Sequence, residues 1–211
     1  MSGAIPLECG KYYHIYNRGI AGTNTFFEER NYRHFLRLCA LHILPVADLY
    51  AYCLLRNHFH VLVRIKEPQE VPDGNTRGTA DDPTAPKAWM SPSRAFSNWF
   101  NAYAKAINHA YSRTGALFER PFDRILVTSE EYLCSLVRYI HRNPQKHRFV
   151  PDFREWTYSS YHTMLSLRTT HVRRDEVVAW FGGADALAQF HALEGNEGQI
   201  SHLIIDDYDL D

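Results

Sequence analysis

The 211-residue sequence predicts an α+β fold, in which helices pack on an antiparallel sheet. First, β-prone and helix-prone segments follow one another in the order strand, helix, hairpin, helix, strand, helix. Second, only the short polar break Arg56-Asn57 separates the two hairpin strands, and a turn this tight joins antiparallel strands. Third, 45% hydrophobic and 22% charged residues are typical of a globular protein, which excludes a disordered chain and a coiled coil.

The first half of the chain contains the first strand, the first helix and the hairpin. A strand is predicted over residues 11–18, which are rich in Tyr and Ile and are followed by Gly19. Residues 31–44 carry apolar side chains at helical spacing and end before Pro45, which predicts an amphipathic helix. Two apolar, β-prone runs predict the hairpin over residues 49–65.

A long irregular segment separates the hairpin from the second helix. Residues 66–92 contain five prolines and almost no apolar side chain, which predicts a mobile loop insertion. After it, apolar side chains recur from Phe96 at i, i+4, i+7 and i+11. This spacing places one apolar stripe on a helix that is predicted to end near Ser112.

A strand and a third helix follow. Residues 117–127 are predicted to form the strand. Thr128 and Glu131 have the spacing of a capping box, which predicts the start of a helix. That helix is predicted to end near the Asn143-Pro144 break, because a residue before proline avoids helical dihedrals.

The chain is basic up to Arg174 and acidic after it, although its formal net charge is only −1. Residues 1–174 hold all 23 Lys and Arg with 15 acidic residues, a charge of +8, whereas residues 175–211 hold nine acidic residues and no Lys or Arg, a charge of −9. Clustered positive charge attracts phosphates and releases their counterions. The pattern therefore favours a polyanion as the partner of the basic part, and the alternative is a solvated tail without a role.

The sequence gives no sign of export or membrane insertion. It lacks the basic and apolar regions of a signal peptide and the roughly 18 uncharged apolar residues of a membrane span. We therefore expect a cytoplasmic protein without a membrane partner. The four cysteines form no CxxC pair, so buried free thiols are expected.

Two histidines in the second hairpin strand form a candidate metal site. The strand period of two places His58 and His60 on one face, roughly 6.5–7 Å apart, from which two ring nitrogens can converge on a divalent ion. This signal is weak alone, because the chain contains 12 His, and a third ligand is required. On the third helix, Tyr139 and Asn143 share a face outside the apolar stripe, so a phenol and an amide project together into a cleft. Singly, these two are better explained as a rim residue and a helix cap.

Five sequence blocks, taken in order, carry a resemblance to a known family. They are YHIYNRG at 13–19, NHFH at 57–60, RTGALFE at 113–119, YIHRNP at 139–144 and WTYSSY at 156–161. With them the chain resembles, over roughly residues 12–165, the IS200-like single-tyrosine HUH transposases and, within these, the REP-associated tyrosine transposases. The resemblance implies the ferredoxin-like, RRM-like sheet of HUH endonucleases.

The resemblance also implies roles for four residues. His58 and His60 match the metal-binding histidines of the family, and Asn143 matches its third, amide-type ligand, with Mg²⁺ or Mn²⁺ as the ion. Tyr139 matches the nucleophile, which takes the 5′ phosphate of single-stranded DNA and leaves a free 3′ hydroxyl. A tyrosine suits strand transfer, because a phosphotyrosine conserves the bond energy for later resealing.

Five basic residues are candidates for DNA contacts: Arg18, Arg120, Arg124, Arg142 and Lys146. Each alone is better explained as a solvated surface charge, but together near one predicted cleft they fit a phosphate track. The expected partner is single-stranded or hairpin DNA. The sequence leaves open whether the protein is a homodimer or a monomer.

Residues 1–165 are predicted to form the HUH nuclease domain, and residues 166–211 a C-terminal extension, helix-prone over 177–193, with an acidic tail. Three other functions stay open: a non-catalytic protein that recognises a DNA hairpin, a metal-dependent phosphodiesterase that uses water, and an RNA-binding sheet. A non-catalytic protein has no chemical need for the four residues His58, His60, Tyr139 and Asn143. The second would tolerate Tyr139→Phe, and the third is disfavoured because no RNP-like aromatic block is present.

Overall fold

The computed structural model describes residues 5–70, 76–77, 88–119, 122–193 and 200–201. The strands are β1 (Tyr12–Arg18), β2 (Ala47–Leu54), β3 (His58–Ile65), β4 (Thr76–Arg77), β5 (Ala88–Trp89) and β6 (Asp123–Val127). The helices are α1 (Glu29–His42), α2 (Pro92–Ala110), α3 (Glu131–Lys146), α4 (Tyr161–Met164), α5 (Arg174–Trp180) and α6 (Ala184–Ala192). None of the helices in the described ranges has both the length and the apolar character that a membrane span requires.

The four longer strands form one antiparallel sheet in the order β2-β3-β1-β6. Residues 55–57 join β2 to β3, so the predicted hairpin is confirmed. Strand β1 pairs with β3 in a register that places Tyr16 opposite His60. The predicted α+β class, with helices packed on an antiparallel sheet, is confirmed.

Helices α1 and α2 cover one face of the sheet with an aromatic core. Phe35 of α1 lies against Phe59 of β3 and Trp99 of α2, at ring-centroid distances of 4.9 and 4.4 Å. Trp99 donates from Nε1 to the backbone oxygen of Phe35 at 3.0 Å, which satisfies the buried indole. Because side chains alternate along a strand, burial of Phe59 on this face turns His58 and His60 to the opposite face.

Helix α3 packs against β2 and β3 on that opposite face. It extends to Lys146, two residues past Pro144, so it ends near the Asn143-Pro144 break as predicted but continues through the proline. Proline fits the helical φ, and its missing N–H removes only one bond near the helix end. The backbone N–H of His147 donates to the backbone oxygen of Asn143 at 3.0 Å and closes the last turn of the helix.

The segment before α3 is less regular than predicted. The strand covers only Asp123–Val127 of the predicted range 117–127, because only this part pairs with β1. The predicted capping box is also absent. Ser129 Oγ, rather than Thr128, accepts a hydrogen bond from the backbone N–H of Glu131, at 3.3 Å.

The segment predicted as a mobile insertion, residues 66–92, is described only in part. Thr76–Arg77 pairs with Ala88–Trp89, so that β4 and β5 form a small antiparallel ribbon. Residues 71–75 and 78–87 lie outside the described residues. The mobility of this segment therefore stays a prediction.

The C-terminal segment contains α5 and α6, as its helix-prone sequence predicts. Gly182 and Gly183 separate the two helices with φ angles of +82° and +129°, a region that favours glycine. Helix α5 reaches the sheet through Glu176, whose Oε2 accepts a hydrogen bond from the Tyr50 hydroxyl at 2.7 Å. Residues 194–199 and 202–211, which include much of the acidic tail, lie outside the described residues.

Two buried imidazoles connect α6 to α3. His191 Nδ1 donates to the Leu187 oxygen at 2.8 Å, so Nε2 of the neutral ring accepts from His141 Nδ1 at 2.9 Å. His141 Nε2 then accepts from the Ser160 hydroxyl at 2.7 Å. Every ring nitrogen in this chain of hydrogen bonds has a partner, and α6 is thereby fixed to the side of α3 that carries His141.

Candidate metal and nucleophile site

The imidazoles of His58 and His60 lie on the sheet face that α3 covers. Their ring centroids are 5.1 Å apart and the ring planes are perpendicular. Both side chains are buried, with exposed fractions of 9% and 5%. The structure thus places the two histidines on one face of the strand, as the period-two alternation predicts.

His58 presents one ring nitrogen to the side-chain oxygen of Asn143. Its Nδ1 lies 2.8 Å from Oδ1 of Asn57, which can only accept, so Nδ1 carries a proton, and in the neutral form of the ring the lone pair is on Nε2. That Nε2 lies 3.4 Å from Oδ1 of Asn143, which is also an acceptor. With His58 in its neutral form, a lone pair on Nε2 faces a lone pair on Oδ1, and a cation between the two atoms would satisfy both.

His60 presents a buried nitrogen that has no hydrogen-bond partner within the described part of the chain. Its Nδ1 lies 3.0 Å from Nε2 of His14, whereas its own Nε2 is buried and unpartnered. Burial, reinforced by the neighbouring His14 and His58, lowers the pKa of His60 well below its usual range. The ring is thus neutral at neutral pH, which is the form that binds metal ions.

Two imidazoles and one amide oxygen form a donor set that fits a divalent ion. Across the described ranges, no group of three or more His, Cys, Asp and Glu side chains is arranged to hold a metal. The candidate set consists of His58, His60 and the amide oxygen of Asn143. All three donors are uncharged, so they would leave the positive charge of a bound ion undiminished.

Tyr139 lies one helical turn before Asn143 on α3. Its ring edge meets the rings of His60 and His14 at centroid distances of 5.7 and 6.1 Å. Tyr139 and Asn143 are buried between α3 and the sheet, with exposed fractions of 2% and 0%. Lys146 places its Nζ 4.9 Å from the centroid of the Tyr139 ring. Positions i, i+4 and i+7 share a helix face, so one side of α3 presents a phenol, an amide and an ammonium.

Two of the five basic candidates lie beside this site. Lys146 contacts the Tyr139 ring, as described above. Arg18 lies at the end of β1, opposite His58 in the strand register. Its guanidinium pairs with Glu119 at 2.7 Å, and both side chains are about one-third exposed.

The structure does not bring the other basic candidates to the same place. The register with β1 puts Arg124 on the face covered by α1 and α2, where its Nη1 donates to Ser93 Oγ at 3.0 Å. Arg142 turns toward α6, and its Nη1 donates to the backbone oxygen of His191 at 2.7 Å. Arg120 lies outside the described residues.

Three aromatic side chains beside the site were not identified from the sequence. His14 and Tyr16 project from β1 toward His60, at ring-centroid distances of 5.1 and 6.0 Å. His147 lies 4.7 Å from the His58 ring. Alternation along residues 11–18 puts His14 and Tyr16 on one strand face, but only the pairing of β1 with β3 shows that His58 and His60 lie on this face.

Comparisons with known proteins give a match at the level of the fold. No protein-family model matches the sequence, and no curated protein matches it. One similar solved structure is described as the "Structure of the REP associates tyrosine transposase bound to a REP hairpin". The two chains share a fold. They are 15% identical, with a TM-score of 0.54, and the similarity covers 78% of this chain and 85% of that chain.

At the level of the fold alone, this likeness agrees with the resemblance that the sequence blocks carry. The shared architecture is the four-stranded antiparallel sheet with packed helices. That sheet positions the His58 and His60 strand, and α3 lies over it with Tyr139 and Asn143.

Proposed function

We propose that the protein is a metal-dependent enzyme that cleaves single-stranded DNA and transfers the cut strand, with Tyr139 as the nucleophile. One observation carries the proposal: a tyrosine, two imidazoles and an amide oxygen converge between β3 and α3, where the fold resembles that of a tyrosine transposase. The sequence blocks 57–60 and 139–144 contribute these same four side chains.

In this mechanism the Tyr139 hydroxyl attacks a DNA phosphodiester. A bond forms between the phenolic oxygen and phosphorus, the bond from phosphorus to the 3′ oxygen breaks, and the phenolic proton is released while the 3′ oxygen becomes a hydroxyl. The product is a 5′-phosphotyrosine with a free 3′ end. A second 3′ hydroxyl can then attack the phosphotyrosine, which restores the phenol and joins the new strand.

His58 and His60 through Nε2, and Asn143 through Oδ1, would hold a divalent ion, Mg²⁺ or Mn²⁺. When bound, such an ion polarises the scissile phosphate and stabilises the charge that develops on its oxygens. Asn143 Nδ2 is buried without a hydrogen-bond partner in the described part of the chain, so it is available to donate to a phosphate oxygen.

The proposed substrate is single-stranded or hairpin DNA. The similar solved structure is bound to a REP hairpin, and the first 174 residues of this chain carry a charge of +8. We expect Lys146, beside the Tyr139 ring, and Arg18, opposite His58 in the strand register, to contact phosphates of the bound strand. Arg124 and Arg142 lie elsewhere, so they are not part of the proposed track.

The decisive experiment is the isolation of a covalent intermediate. The protein is incubated with Mn²⁺ and a pool of hairpin-bearing single-stranded oligonucleotides, and any SDS-resistant protein–DNA adduct is sequenced. Tyr139→Phe should remove the adduct, whereas Tyr161→Phe, a control at another buried tyrosine, should keep it.

Other results would favour the alternative functions. Cleavage without an adduct, retained in Tyr139→Phe, would indicate a phosphodiesterase that uses water. Tight binding without cleavage would indicate a non-catalytic protein that recognises a DNA hairpin.

A further inference from the structure

We propose that His14 is a positioning residue, which holds the His60 ring in the one neutral tautomer that can bind a metal ion through Nε2. The inference rests on the proposed metal role of His60. It assigns no ligand role to His14, because the His14 nitrogen that faces His60 is already within hydrogen-bond distance of it.

The two rings form a buried pair between adjacent strands. His14 Nε2 lies 3.0 Å from His60 Nδ1, and the rings are nearly parallel, with centroids 5.1 Å apart. His14 is completely buried, and it projects from β1 on the same face as His60. The sheet register fixes the backbone positions from which the two side chains project, and burial of both rings restricts their rotation.

A hydrogen bond between two neutral imidazoles needs one donor and one acceptor, and the choice decides the state of His60. When His60 donates from Nδ1, its lone pair is on Nε2, the buried nitrogen that has no partner in the described ranges. When His14 donates instead, the proton of His60 sits on Nε2. That arrangement leaves a buried donor without an acceptor and blocks the metal-binding position.

The arrangement in which His60 donates from Nδ1 is favoured. A lone pair on the buried Nε2 can bind a cation, whereas a proton on Nε2 would have no acceptor among the described residues. Metal-binding histidines commonly donate their other ring N–H to an acceptor that fixes the tautomer and the ring orientation. Carboxylates and backbone carbonyls are the usual acceptors. In the proposed arrangement the acceptor is a third imidazole, that of His14 on the neighbouring strand.

The test measures Mn²⁺ affinity by calorimetry in the absence of DNA, so that activity is not the readout. His14→Phe keeps an aromatic ring but removes the acceptor, and we expect it to weaken Mn²⁺ affinity by about 10–100-fold. His14→Gln offers an amide oxygen to His60 and should recover most of that loss. His42→Phe, on α1 and remote from the site, is the matched control and should bind as the wild type does.

A second measurement is independent of the metal and of catalysis. Long-range ¹H–¹⁵N spectra of the metal-free protein report which His60 nitrogen carries the proton. We expect it on Nδ1 in the wild type, and a proton on Nε2 would overturn the inference even if His14→Phe failed to fold.

The two proposals fail in different ways. A folded His14→Phe variant with wild-type Mn²⁺ affinity would overturn the role of His14 and leave the proposed function standing. A wild-type protein that binds no Mn²⁺ would instead overturn the metal role of His60 itself.

Discussion

The Lys146 Nζ lies 4.9 Å from the centroid of the Tyr139 ring, on the same face of α3. A cation in this position attracts the π face of the neutral ring. It would attract a phenolate or a phosphate oxygen more strongly, because both are charged. The last turn of α3, beyond Pro144, therefore contributes to the site a charge that a helix ending at Asn143 would not supply.

We expect Lys146→Met to slow adduct formation by about 10–100-fold, since a hydrogen bond to a charged group contributes about 1.5–3 kcal/mol. The rate is measured in single-turnover assays that follow the SDS-resistant adduct. Lys105→Met, at an exposed position on α2, is the matched control and should leave the rate unchanged. Equal rates for Lys146→Met and the wild type would argue against a role of the ammonium in the reaction.

Asn143→Asp should separate metal binding from reactivity. The substitution keeps an oxygen donor and adds a negative charge, so we expect tighter Mn²⁺ binding. Adduct formation at saturating Mn²⁺ should nevertheless slow by about tenfold, or about 1.4 kcal/mol, because the carboxylate reduces the positive charge that the ion presents to the phosphate. Asn143→Ala should weaken Mn²⁺ binding. If Asp bound Mn²⁺ no better than Ala, Oδ1 of residue 143 would not be a ligand.

Arg18 and Arg142 should behave differently, although both were candidates for DNA contacts. Arg18→Met should reduce the slope of log affinity against log salt by about 0.7, the value for one phosphate contact on a single strand. Arg142→Met should leave that slope unchanged and lower the free energy of unfolding by about 1 kcal/mol, because it loses the hydrogen bond to the His191 oxygen. Binding titrations at several salt concentrations and urea unfolding measure the two effects. The reverse pattern would contradict the placement of Arg142.

The buried histidines should make the free energy of unfolding fall in acid. Burial lowers the pKa of His191 to about 4 and the pKa of His141 well below its usual range. Above the ordinary histidine pKa of about 6.5 both states are neutral, so these groups add no pH dependence there. Below it the unfolded chain takes up protons that the folded chain does not. Each histidine then lowers the free energy of unfolding by about 1.4 kcal/mol for each pH unit of acidification. For His191 this loss continues down to about pH 4, the pKa of the folded state.

Urea unfolding between about pH 7.5 and pH 5 measures this loss. The double variant His141→Phe, His191→Phe removes both groups and should flatten the profile, with the other buried histidines accounting for the slope that remains. A double variant with the full wild-type slope would show that these two residues do not cause the acid dependence.

Much of the fold and the main site residues could be predicted because their signals are local. The short break at Arg56-Asn57 predicts the hairpin, and the alternation after it places His58 and His60 on one face. Spacing along a helix likewise puts Tyr139 and Asn143 on one side. Local periodicity is read from neighbouring residues, so no tertiary information is needed.

The remaining features depend on long-range pairing. His14 meets His60 only because β1 pairs with β3 in one particular register, across 46 positions of sequence. The basic side chains were expected to share a cleft, but charge alone does not show which face of the sheet a residue occupies, and Arg124 lies on the far face.

His141 and His191 are 50 positions apart in the sequence, and each imidazole satisfies the ring nitrogen that the other presents. A substitution at either position alone would leave a buried polar atom without its partner, at a cost of about 1–3 kcal/mol. Among related sequences we therefore expect the two positions to change together, for example to a pair of apolar residues. Helices α3 and α6 would then share one evolutionary history, and the C-terminal extension of one relative could not be recombined freely with the core of another.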